Sequence, residues 1–170
     1  MTPQTASGID IFVVDDECLI AHTLGIILSQ VGYCVSVFDD PITARLHLHD
    51  FPRLLITDHH MPGLTGSDLA SIFADEAPST KVLLLSANLL PPDAVWQMVE
   101  KNLCDARLVA KPISPSCLLS HVGEMIGPPS GRMIYPKSGD LRTSMTPGCN
   151  HYLHELRRSP LSSFGPFAES

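Results

Sequence analysis

Two hydrophobic periods alternate along residues 9–126. Short, continuous apolar runs recur: Ile11-Phe12-Val13-Val14, Leu54-Leu55-Ile56-Thr57, Val82-Leu83-Leu84-Leu85 and Leu108-Val109-Ala110. Runs of this length read as strands buried on both faces. With residues 33–38, where alternation is partial, the pattern predicts five strands at 9–14, 33–38, 54–57, 81–85 and 107–110. Between them the spacing turns helical. Leu19, Ile20, Thr23, Leu24, Ile27, Leu28 and Val31 recur at helical spacing, and Gly32 stops that helix. Asp40-Pro41 and Ser114-Pro115 each pair a capping side chain with proline at the first helical position. They open helices over 40–49 and 114–127. A Pro/Gly loop at 61–66 leads into a helix over 67–76, and another begins near Pro92. Strands alternating with helices predict an α/β fold, a parallel sheet covered on both faces.

The pattern stops at Gly127-Pro128-Pro129-Ser130-Gly131. Residues 128–170 are rich in Pro, Gly and Ser, and only 152–158 has helical spacing. About forty residues bury too little to fold without a staple. The expected organisation is a flexible start at 1–8, one domain at 9–127, and a disordered or partner-binding tail at 128–170.

Charge narrows the partners. Residues 1–126 hold six basic and fifteen acidic side chains, a balance of −9, and 127–170 hold five and three, a balance of +2. An acidic body disfavours nucleic acid, whose phosphates reward basic surfaces. No run approaches the roughly 18 apolar residues of a membrane span. Residues 1–8 lack a basic start and an apolar stretch, so no secretory signal is read there. The five cysteines (Cys18, Cys34, Cys104, Cys117, Cys149) are odd in number and lack a Cys-x-x-Cys pair. They are expected to be reduced, mostly small buried hydrophobes in a cytoplasmic protein.

The polar residues that end the apolar runs carry the chemistry. Asp15-Asp16, Asp58, Ser86-Ala87 and Lys111-Pro112 each follow a strand. Parallel strands point the same way, so these ends share one edge of the sheet. Three carboxylates, a hydroxyl and an ammonium are expected to meet there, a donor set suited to a divalent cation and a phosphoryl group.

In that order and at those strand ends, Val13-Val14-Asp15-Asp16-Glu17, Thr57-Asp58-His59-His60-Met61-Pro62-Gly63, Leu84-Leu85-Ser86-Ala87 and Ala110-Lys111-Pro112 resemble the receiver domains of two-component response regulators. The resemblance covers residues 9–126. The steps from Asp16 to Asp58, Ser86 and Lys111 (42, 28 and 25 residues) are typical of it. It implies a flavodoxin-like, doubly wound five-stranded sheet in the order 2-1-3-4-5. It implies that Asp58 accepts a phosphoryl group from a histidine kinase or histidine phosphotransfer protein. Asp15, Asp16, Asp58 and the His60 backbone carbonyl would hold Mg2+ or Mn2+. Lys111 and Ser86 would contact the phosphoryl oxygens, and Ala87 would leave the donor a path. The protein would be a switch and not a turnover enzyme. The peptide before Pro112 is often cis in the family.

Some residues depart from the family. Leu108 stands three before the lysine, where an aromatic side chain usually turns inward on activation. Leucine is expected to stay inward in both states, because burial favours it by about 1.5–3 kcal/mol. Residues 103–106 and the Pro91-Pro92 pair also differ, on the face where partners usually dock. They support a rival reading, a receiver-like module that binds partners without phosphate. A phosphatase of the haloacid dehalogenase type needs a second acid two residues after its nucleophile, where His60 stands. No DNA-binding output domain is visible, and monomer and homodimer both remain open. His59 and His60 are read as a solvated pair. His47/His49 and His151/His154 lack further ligands for a metal site. Trp96 and Met98 are read as packing, and Arg157-Arg158 as a solvated pair.

Overall fold

The computed structural model describes residues 8–87 and 105–129. Their elements are β1 (Ile11–Val14), α1 (Cys18–Gln30), β2 (Val35–Phe38), α2 (Pro41–Leu46), a 3-10 turn (Leu48–Asp50), β3 (Leu54–Asp58), α3 (Gly66–Glu76), β4 (Lys81–Ser86), β5 (Ala106–Ala110) and a last helix, α4 (Pro115–Ile126). The strands form one all-parallel sheet in the order β2-β1-β3-β4-β5. That is the doubly wound topology the resemblance implied. The expected helix near Pro92 and the tail from residue 130 lie outside the described residues.

The period-two geometry of a strand sends alternate side chains to opposite faces. Ile11, Val13, Leu54, Ile56, Leu83 and Leu85 pack with Leu24 and Leu28 of α1 and Leu118 and Val122 of α4. Phe12, Val14, Leu55 and Val82 pack on the other face with Ala44 of α2 and Leu69 and Phe73 of α3. Phe12 meets Phe38 and Phe73 edge-on, at centroid distances of 4.8 and 6.1 Å. A strand with two buried faces has no polar position to spare, so its polar residues fall at its ends.

The caps form as the sequence predicts. Asp40 accepts from the Thr43 N–H at 2.7 Å ahead of Pro41, and Ser114 Oγ accepts from the Cys117 N–H at 3.2 Å ahead of Pro115. Gly32 ends α1 at φ +102°, a conformation that favours glycine. Residues 40–49 do not form one helix. The α-helix stops at Leu46 and a 3-10 turn follows, closed by Phe51 at φ +46°.

Two expectations change. Cys18 is disulfide-bonded, against the expectation of reduced thiols, and the free Cys117 is exposed rather than buried. All of β5 is only half-buried, Leu108 included. The cause is position: β5 is an edge strand, paired through Leu84↔Leu108 on one side only.

At the far end of the sheet from the carboxyl edge, buried Asp10 accepts from the Cys34 N–H at 3.0 Å and from Arg53 Nη1 at 3.1 Å. Arg53 also donates to the carbonyls of Ile126 and Pro128, and the Tyr33 hydroxyl donates to Gly127 at 2.7 Å. Carbonyls at the end of a helix lack partners within it. Here side chains from the segments just before β2 and just before β3 supply them.

Candidate functional site

The strand register places Asp15, Asp58, Ser86 and Lys111 at one edge. Val14 pairs with Thr57, Asp58 with Leu85, and Ser86 with Ala110. The Lys111 N–H donates to the Ser86 carbonyl at 2.8 Å, which extends the ladder to the lysine. The Lys111-Pro112 peptide is cis.

Lys111 Nζ lies 2.7 Å from Asp15 Oδ2 and 2.7 Å from Asp58 Oδ1. Asp15, Asp58 and Ser86 are buried, and the lysine side chain is 19% exposed. Asp15 Oδ1 accepts from the Glu17 N–H at 2.9 Å, and Asp58 Oδ2 from the His60 N–H at 2.9 Å. Burial pushes the Asp15 carboxyl above its ordinary value of 3.8, outweighing the hydrogen bonds from Lys111 and Glu17. Burial alone would lower Lys111. Hydrogen bonds to Asp15 and Asp58 overcome it and raise Lys111 above 10.5.

Asp16 does not join this contact. It is exposed on the rim, and no group of three or more His, Cys, Asp or Glu side chains that could hold a metal ion occurs among the described residues. Lys111 thus joins two of the three expected carboxylates, Asp15 and Asp58, and Asp16 stands at the rim. Magnesium still fits what is present. It retains several waters and takes one or two carboxylates at a typical site. Two buried carboxylates against one ammonium leave a net negative charge, and Asp16 adds to it from the rim.

His60 is exposed, as expected of a solvated loop residue, and its N–H supports Asp58. His59 is not solvated. It is buried, with Nδ1 3.0 Å from Ser67 Oγ in α3. Burial first, and then the neighbouring His60, hold its imidazole below 6.5. The sequence reading missed this pair by ending the strand pattern at Thr57. Continued one step past Asp58, the alternation turns residue 59 to the α3 side.

Gly66 completes the site from below. Its N–H donates to the His59 carbonyl at 3.1 Å. A Cβ built on it would collide with the Asp58 carbonyl oxygen, and would also stand 2.9 Å from Leu84 Cδ1.

A model of the response regulator receiver domain matches residues 11–123. This chain belongs to that family. Receivers are signalling switches, and the family implies a phosphoacceptor role in two-component signalling. The chain is 30% identical over 110 residues to PgtA, the phosphoglycerate transport system transcriptional regulatory protein of Salmonella typhimurium, covering 64% of this chain and 26% of PgtA. It is 30% identical over 111 residues to the transcriptional regulatory protein FixJ of Bradyrhizobium diazoefficiens, covering 59% of this chain and 53% of FixJ. The chain thus spans about a quarter to a half of these longer relatives. A CheY-like receiver from Methanospirillum hungatei superposes with a TM-score of 0.62 at 22% identity, covering 68% of this chain and 91% of that one, a likeness of fold. No helix among the described residues is long and apolar enough to cross a membrane.

Proposed function

We propose that this receiver takes a phosphoryl group on Asp58 from a histidine kinase or a histidine phosphotransfer protein and passes the signal on by protein contacts. The observation that carries it is the Asp15–Lys111–Asp58 contact, a buried carboxylate pair held by one ammonium. A carboxylate oxygen of Asp58 attacks phosphorus in line. The donor P–N bond breaks as the O–P bond forms, and its electron pair leaves with the donor imidazole. Lys111, bound to Asp58 Oδ1 at 2.7 Å, would pair with the phosphoryl oxygens as a point charge. Ser86, the last residue of β4, would donate its hydroxyl to a phosphoryl oxygen. The His60 N–H holds Asp58 Oδ2, so the carboxylate enters the reaction with its orientation set.

A divalent cation, Mg2+ or Mn2+, would neutralise charge between two anionic reactants. Asp16, Asp15, Asp58 and the His60 carbonyl are the oxygens proposed to hold it. The domain is proposed to span 9–127, with 1–8 and 128–170 as flanking segments, in a cytoplasmic setting. Incubation with acetyl phosphate and magnesium should add one phosphate to the intact mass. Asp58→Asn should add none, and a variant that still gains one overturns the assignment.

Asp16→Asn tests the metal separately. Removing this carboxylate should weaken magnesium binding about ten-fold, by the scale typical of groups around a metal. It also removes a like charge beside two buried carboxylates, so the metal-free fold should be slightly more stable. Thermal melts with and without magnesium check both. Equal magnesium stabilisation in wild type and variant would remove Asp16 from the site.

A further inference from the structure

We propose that His59 and Ser67 are a positioning pair that fixes the phosphoacceptor loop. The inference rests on the reading of Asp58 as phosphoacceptor. Residue 59 is tied from three sides. Its N–H donates to the Leu85 carbonyl at 2.8 Å, which continues the β3–β4 ladder one step past Asp58. Its carbonyl accepts from the Gly66 N–H at 3.1 Å. Its ring nitrogen Nδ1 shares a hydrogen bond of 3.0 Å with Ser67 Oγ in the first turn of α3.

The first two ties are backbone bonds that any residue could make. The third depends on these two side chains. Both are buried where the neighbouring cluster around Leu69, Ala70 and Phe73 is apolar. A polar pair in such a place is stable only while each partner satisfies the other. Either one left alone drives the ring out of its place, and the peptides beside it move with it.

Those peptides are the ones the site uses. The peptide after His59 carries the His60 N–H, which reaches Asp58 Oδ2 at 2.9 Å, and the next peptide carries the His60 carbonyl. The His60 ring stands edge-on to that of His59 at a centroid distance of 4.5 Å. Fixing His59 therefore fixes the peptide before it, the peptide after it, and the carboxylate hydrogen-bonded to the latter. His59 and Ser67 act through Asp58 and His60, with no contact to the reacting atoms.

Magnesium titrated calorimetrically into the full chain is the first probe, and the half-life of the phosphoryl group after acetyl phosphate treatment is the second. Ser67→Ala and His59→Leu should each weaken magnesium about ten-fold and change the half-life in the same direction. The double variant should be no worse than either single one, because both remove one bond. His59→Asn, whose amide can stand in the place of Nδ1, should stay within about two-fold of wild type. Loss of melting temperature with wild-type magnesium affinity and half-life would make the pair mere packing and overturn the proposal. A wild type that takes no phosphate on Asp58 defeats the phosphoacceptor reading instead, and the magnesium titration then decides on the pair alone.

Discussion

Gly66→Ala should cost this protein about 3 kcal/mol or more, at the upper end of overpacking penalties. The added methyl has nowhere to go. It would meet the Asp58 carbonyl oxygen, lie 2.9 Å from that carbonyl carbon, and lie 2.9 Å from Leu84 Cδ1. Two of these three atoms are backbone, at the junction of a fully buried strand with the site. A flexible side chain could swing away, but a strand paired on both sides cannot. Since the displaced group is the main chain of Asp58, phosphorylation by acetyl phosphate should fall with stability. Urea unfolding measures the first and intact mass the second. A loss under about 1 kcal/mol would show that the loop yields and that Gly66 does not hold Asp58.

Lys111→Met is the other large effect. It leaves Asp15 and Asp58 facing each other without the cation, and breaking a buried pair from one side costs about 3 kcal/mol or more. The pH dependence identifies the cause. Lys111 has a raised folded pKa, so its contribution is complete below about pH 10.5 and is lost as pH rises above that value. The methionine variant should lack this alkaline loss. Asp15 is raised as well, so the folded state holds its proton more tightly than the unfolded chain. That contribution is complete below 3.8 and is lost as pH rises through the raised value. Lys111 itself stays charged in acid, but its partner Asp15 takes up a proton there, so the penalty of Lys111→Met should be smaller in acid than at neutral pH. Chemical denaturation at several pH values checks it. A penalty independent of pH would mean that Lys111 acts through its aliphatic stem.

The sheet was legible in the sequence because burial on both faces leaves a strong mark. Ile11–Val14 and Leu54–Asp58 have no exposed side, so their apolar runs are unbroken and their charged residues fall at the ends. The caps at Asp40 and Ser114 were legible for a local reason, since a side chain and a proline specify them within four residues. The 3-10 turn after Leu46 was not, because no breaker residue marks it. The site was legible as a list and less so as a geometry. Order along the chain located Asp15, Asp58, Ser86 and Lys111 at one edge. It could not say that Asp15 turns inward to Lys111 while Asp16 faces solvent. Adjacent residues at a strand end point in different directions, and only the fold decides which direction is inside. The same ambiguity hid His59, whose partner Ser67 lies eight residues on across a loop.

The bonds at the opposite end of the sheet bear on how this chain is born. Tyr33 reaches Gly127 across 94 positions, and Arg53 reaches Pro128 and Ile126 across 75 and 73. Asp10, buried from the first strand onward, depends on that arginine for its counter-charge. A ribosome delivers the chain from the N-terminus at about 5–20 residues per second. The early strands therefore wait several seconds for the last helix to emerge, with a carboxylate and a guanidinium already in place to receive it. Contacts this distant in sequence are slow to close. Residues 126–128 are thus a clasp that shuts late in synthesis, and a chain cut before them should leave the ribosome with its first strand and Arg53 still unclosed.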